Sequence, residues 1–158
     1  MKSAEAIYLF PKAAPTALLM LLLLIILPIT LWAYQGDTTD LGKTKSIAEM
    51  QHEIVMLLIK KKDYDKALAE ANKIFDMKWP QDQEPLLLKE LIYLSDQFLR
   101  QGQGFLGLQL LERNSKRFKS IASQVAILKE KGYLFKSLGQ DDKAIESFRR
   151  AQELENRK

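Results

Sequence analysis

Apolar positions divide the chain into two unlike parts. No residue between Lys12 and Asp37 is charged, and residues 17–29 are almost wholly Leu, Ile and Met. A helix needs about 20 apolar residues to cross a hydrocarbon core ~30 Å thick, and residues 14–34 supply them. Trp32 and Tyr34 stand at one end of this run, with Tyr8 and Phe10 near the other, where amphipathic rings favour the headgroup region. From Ile47 onward the apolar residues recur instead at three-and-four spacing: Ile47, Met50, Ile54, Val55, Leu58 and Ile59, then Ala67, Leu68, Ala71, Ile74, Phe75 and Met77. The same period returns at Leu88, Leu91, Ile92, Leu94, Phe98 and Leu99, at Phe105 to Leu111, and again after Leu128. Such spacing lines one face of a helix. The pattern predicts an all-α chain: one N-terminal transmembrane helix followed by six helices in three pairs.

The breaks between these runs set the boundaries. Residues 1–13 form a short N-terminal tail. Residues 35–45, rich in Gly, Asp, Thr and Lys, read as a polar linker. Ser46-Ile47-Ala48-Glu49 has the form of a capping box and predicts a helix start at Ser46. Pro85 suits the first residue of the third helix of the domain. Gly139 suits a helix end that needs φ > 0. Lys2 and Lys12 precede the apolar run as they would in a signal peptide, but Leu31-Trp32-Ala33 puts a bulky residue where a signal peptidase requires a small one. The run is also long, so an uncleaved anchor is expected, kinked at Pro28. Lys2 and Lys12 on one side balance Lys43 and Lys45 on the other. A short tail before a first helix usually stays in the cytoplasm, which places the domain outside it.

The last stretch carries a recognisable signature. Leu128, Gly132, Phe135, Gly139, Ala144, Phe148, Ala151 and Leu154 follow the order of large, small and aromatic residues that resembles one tetratricopeptide (TPR) unit of two antiparallel helices. Asp63-Tyr64-Asp65-Lys66-Ala67 resembles the family's turn, and Pro80 closes that unit. The first unit departs from the pattern at Gln51 and Val55, and the second has Gly107 where the family usually has alanine. Glycine inside a helix costs about 0.5–1 kcal/mol relative to alanine, so unusually close helix contact is expected at Gly107. Turn positions fall at Lys62, Gly102 and Gly139, spaced 40 and 37 residues apart. The resemblance implies an α-solenoid of about three TPR-like hairpins over residues 46–158, with repeats near 46–80, 85–117 and 120–156. An unrelated all-α bundle is the competing reading.

Composition narrows the chemistry. The 24 Lys and Arg against 20 Asp and Glu leave a net charge of +4, and opposite signs alternate as on solvated helix faces, which argues against nucleic acid. With no cysteine, disulfides, thiolate metal sites and a Cys nucleophile are excluded. His52 is the sole histidine, and Glu53 beside it makes no ligand set. Gly102-Gln103-Gly104 lacks the preceding strand and trailing lysine of a phosphate loop. Asp141-Asp142 suits a helix N-terminus. No enzyme activity, cofactor, metal or small-molecule substrate is expected.

In the family the first helix of each pair lines the concave side. The resemblance therefore implies a partner-binding groove of His52, Met56 and Lys60, then Ile92, Asp96 and Arg100, then Lys129, Tyr133 and Lys136. Its basic heads and apolar side chains would suit a segment with acidic and apolar features; the bland alternative is that these positions are merely solvated. The family's carboxylate clamp is not matched, because Met56, Asp96 and Tyr133 stand where asparagine would serve. The chain resembles anchored TPR accessory proteins of bacterial envelopes. That implies a single-pass inner-membrane scaffold with its domain in the periplasm, contacting lipid through residues 14–34 and assembling or stabilising subunits of an integral membrane complex. The alternative is a precursor-targeting receptor or chaperone-like client-holding protein with a cytosolic domain.

Overall fold

A computed structural model describes residues 40–157. The expected tail 1–13, the transmembrane helix 14–34 and residues 35–39 of the expected linker lie outside the described residues. No helix among the described residues is long and apolar enough to cross a membrane. The described chain is helical throughout: α1 (40–60), α2 (Tyr64–Asp76), α3 (Glu84–Arg100), α4 (Gly104–Asn114), α5 (Ile121–Ser137) and α6 (Asp141–Glu155), with short 3-10 turns at Gln81–Gln83 and Ser115–Arg117.

Successive helices pair as three hairpins, and one turn closes all three. Lys62, Gly102 and Gly139 have φ of 60°, 73° and 69°. In each turn the left-handed residue donates its amide three residues back, and the next residue donates five back: Lys62 to Ile59 and Asp63 to Leu58, Gly102 to Leu99 and Gln103 to Phe98, Gly139 to Lys136 and Gln140 to Phe135, all within 2.8–3.1 Å. This double bond satisfies carbonyls that the helix end leaves free. Lys62 adopts the same conformation with a side chain, which costs about 1 kcal/mol that a glycine would not incur.

The start of α1 corrects one expectation. The helix already runs through residues 40–45, so Ser46 lies inside it as an exposed residue and does not cap it. Leu41, Thr44 and Ala48 are half-buried at three-and-four spacing, and Ala48 packs against the core that holds Val55 and Ile59. A capping pattern is only a local preference and does not stop a helix from continuing upstream of it. Elsewhere the boundaries agree closely: α3 begins at Glu84 with Pro85 in its first turn, and α4 begins at Gly104.

In the second and third hairpins a buried glycine admits the facing helix: Gly107 lies against the Ser95 backbone and Gly132 against the Phe148 ring. The approach is closest in the second and third hairpins. A Cβ on Gly107 would lie 2.7 Å from the Ser95 carbonyl oxygen, and one on Gly132 would lie 2.6 Å from the Phe148 ring. The close contact expected at Gly107 is therefore present. Around these crossings Phe75, Leu91, Leu94, Phe98, Leu110, Leu111 and Leu134 are fully buried in one core.

Hairpins then stack on their neighbours. α4 packs against α2 and α5, and α3 packs against α5, whereas α2 makes no extensive contact with α5 or α6 among the described residues. That neighbour-to-neighbour pattern is consistent with an α-solenoid. Polar fasteners hold the joints. The buried Asn114 amide donates to Asn72 Oδ1 at 3.0 Å, tying α4 to α2. Asp76 accepts from Arg113 and Arg117 at 3.1 and 3.2 Å.

Glu84, in the first turn of α3, fastens the third hairpin. Its carboxylate accepts the backbone amides of Lys119 and Ser120, each at 3.1 Å, at the N-terminus of α5. The Ser123 and Ser120 hydroxyls, with those amides, hold its pKa down to about 2 from an ordinary 4.5. A carboxyl with a depressed folded-state pKa stabilises the fold above its unfolded value and loses that contribution as pH falls. Wild-type stability should therefore drop between pH 4.5 and 2 by more than that of Glu84→Gln. At neutral pH the substitution should cost about 1 kcal/mol, kept small by solvent access. Urea midpoints measured across this range check both statements, and parallel pH profiles for the two proteins would refute them.

Candidate partner-binding face

α1, α3 and α5, the first helices of the three hairpins, lie side by side. The α1–α3 joint is marked by His52 Nδ1 at 2.7 Å from Glu90 Oε1, with the His52 and Tyr93 rings 5.5 Å apart. Near it a cavity of about 380 Å³ is lined by Lys45, His52, Trp79, Leu86 and Glu90 among others. A second cavity, of about 480 Å³, is lined by Lys89, Ile92, Tyr93, Asp96, Arg100 and Glu130 of α3 and α5. Tyr93, whose ring meets His52, is 43% exposed and joins the two regions.

The nine residues expected in the groove divide in three ways. Ile92, Asp96 and Arg100 share the larger cavity, and His52 lines the smaller one. Met56 packs partly buried against the core, while Lys60 and Lys136 are exposed near the ends of α1 and α5. Lys129 and Tyr133 turn toward α6. Lys129 Nζ lies 3.1 Å from Glu155 Oε2, and the Tyr133 ring sits edge-on to Phe148 at 5.2 Å, leaving Tyr133 57% exposed.

What α5 contributes to the cavity is Glu130, one position from Lys129. Spacing from the turn does not separate the two: Lys129 stands ten residues before Gly139 as Ile92 stands ten before Gly102, and Glu130 stands nine before it as does Tyr93, which also lines the cavity. Neighbouring residues are turned by about 100° around a helix, so Glu130 reaches the cavity while Lys129 meets Glu155 of α6.

The electrostatics differ from a row of free basic heads. Arg100 Nε donates to Asp96 Oδ2 at 2.6 Å, and Lys129 is paired with Glu155. Glu130 has no hydrogen-bond or ion-pair partner among the described residues. Burial, and then the nearby Asp96 charge, push its pKa up. The face thus offers apolar and aromatic surface at Ile92 and Tyr93 beside a half-buried carboxylate that no cation compensates. Among the described residues no cluster of three His, Asp or Glu is placed to hold a metal.

Comparison with known families bears on residues 130–158, which match the tetratricopeptide repeat model. That match covers all of α6 and the end of α5, the part of the chain with the fullest run of small and aromatic signature positions. No curated protein and no solved structure matches the chain. The repeat supports a TPR-type architecture and a protein-interaction scaffold. The first two hairpins share its form through their turns and helix pairing.

Proposed function

We propose that the protein is a non-enzymatic scaffold that receives a segment of a partner protein on the face of α1, α3 and α5, and is held at a membrane by residues 14–34. The observation carrying this reading is the stacked hairpin architecture, in which the core lies between helices and leaves an open groove between α3 and α5 beside the α1–α3 joint. Repeat stacks of this kind use such faces for extended segments. The uncharged apolar run supports the anchor, and the partner is then a subunit of an integral membrane complex, with the domain on the periplasmic side of a bacterial inner membrane.

Affinity purification of the full chain in mild detergent, with quantitative mass spectrometry, tests the scaffold. A defined set of integral membrane proteins should be retained by wild type and lost by a variant carrying Ile92→Lys and Tyr93→Lys, which puts charge on the apolar part of the face. Unchanged retention would mean that this face is not used. A reporter fused after Lys158 tests the orientation separately. Access from the cytosol alone would remove the envelope assignment and favour a precursor receptor.

A further inference from the structure

Resting on the reading of this face as protein-binding, we infer that the α3–α5 cavity is a subsite for a basic side chain, Lys or Arg, in an extended partner segment with apolar neighbours. The argument is charge complementarity along an open groove between α3 and α5. Glu130 is half-buried on α5 and faces Asp96 on α3, and no hydrogen bond or ion pair is made to it by any described residue. The cavity also holds two cations, Lys89 and Arg100. Arg100 is committed to Asp96 at 2.6 Å, and Lys89, exposed near the start of α3, makes no ion pair with Glu130.

A half-buried carboxylate beside a second carboxylate costs free energy that an incoming cation recovers. Its raised pKa registers the same uncompensated charge. Tyr93 stands at the rim with 43% of its surface exposed, so its ring can take the face of an ammonium or guanidinium. Ile92 supplies apolar wall for the residues on either side. The basic heads expected along this face point to an acidic partner, yet Arg100 and Lys129 are already neutralised by Asp96 and Glu155. Of the four charged side chains lining the cavity, Asp96 and Arg100 are paired with each other and Lys89 is exposed, which leaves Glu130 as the half-buried charge without a partner.

Fluorescence anisotropy on the full chain in detergent, with labelled peptide pools, tests the inference. Each pool carries one central residue, Lys, Arg, Gln or Glu, between degenerate apolar positions. The Lys and Arg pools should bind about tenfold more tightly than the Gln pool, as expected for a partly desolvated charge pair. Glu130→Gln should erase most of that preference, and so, to a lesser degree, should Asp96→Asn. Glu130→Gln removes an unfavourable charge and should stay folded, which thermal unfolding verifies. In NMR titrations the Glu130 pKa should fall when a Lys peptide binds. Binding without a basic preference, a preference for the Glu pool, or a Lys preference that survives Glu130→Gln would each overturn the subsite and leave the binding face standing. If no pool binds, the protein-binding reading of the face falls with it.

Discussion

Alanine at Phe98 should lower the unfolding free energy by about 3–5 kcal/mol, the usual cost of deleting a fully buried aromatic ring. Phe98 is 0% exposed and belongs to the common core of the three hairpins. Its carbonyl also accepts the Gln103 amide at 2.8 Å in the turn between α3 and α4, so ring and turn fix the same point of the middle hairpin. In a stack built from neighbouring hairpins, the middle one supports two interfaces. A cavity there should reduce cooperativity as well as stability. A single domain has about 5–15 kcal/mol in total, so the loss is a large share. Urea denaturation followed by circular dichroism measures both, with Phe148→Ala as comparison, because Phe148 is only partly buried and should cost less. Equal losses, or a loss under about 1 kcal/mol at Phe98, would contradict this account of the core.

How much of this architecture was legible beforehand depends on the range of the interaction responsible. The hairpin turns could be read because a left-handed residue is a local requirement, and Gly102 and Gly139 announce it; Lys62 was placed by analogy, since nothing in lysine favours that conformation. Three-and-four spacing located every helix, because the period is fixed by backbone geometry. The start of α1 was misread at Ser46. A capping pattern is local, and whether a helix continues past it is decided by the rest of the fold. The groove was legible as a face and not as a chemistry. Lys129 and Arg100 look like free basic heads until their partners Glu155 and Asp96 are seen, and Glu130 looks like one more solvated acid until α3 is set beside α5.

Substitutions at Gly107 provide the sharpest test of that hairpin geometry, because two effects of known sign oppose each other there. Replacing a mid-helix glycine by alanine ordinarily stabilises by about 1 kcal/mol. At Gly107 the new Cβ would stand 2.7 Å from the Ser95 carbonyl oxygen and 3.3 Å from Leu134 Cδ2. The first of these is backbone of α3, which cannot yield without moving the helix, and the second reaches into α5. Overpacking of this kind costs about 1–3 kcal/mol, so Gly107→Ala should be destabilising by about 1–2 kcal/mol net, against its helix propensity. Gly107→Leu should exceed about 3 kcal/mol and loosen the α4–α5 joint. Gly132→Ala also meets a close neighbour, but the Phe148 ring is a side chain that can turn aside, so a smaller loss is expected. Gly102→Ala meets nothing within 4 Å and is strained only by its φ of 73°, costing about 1 kcal/mol. The order Gly107→Leu, Gly107→Ala, then Gly132→Ala or Gly102→Ala should appear in thermal and urea unfolding. A stabilised Gly107→Ala would mean that α3 and α4 do not approach as closely as the Ser95 carbonyl requires.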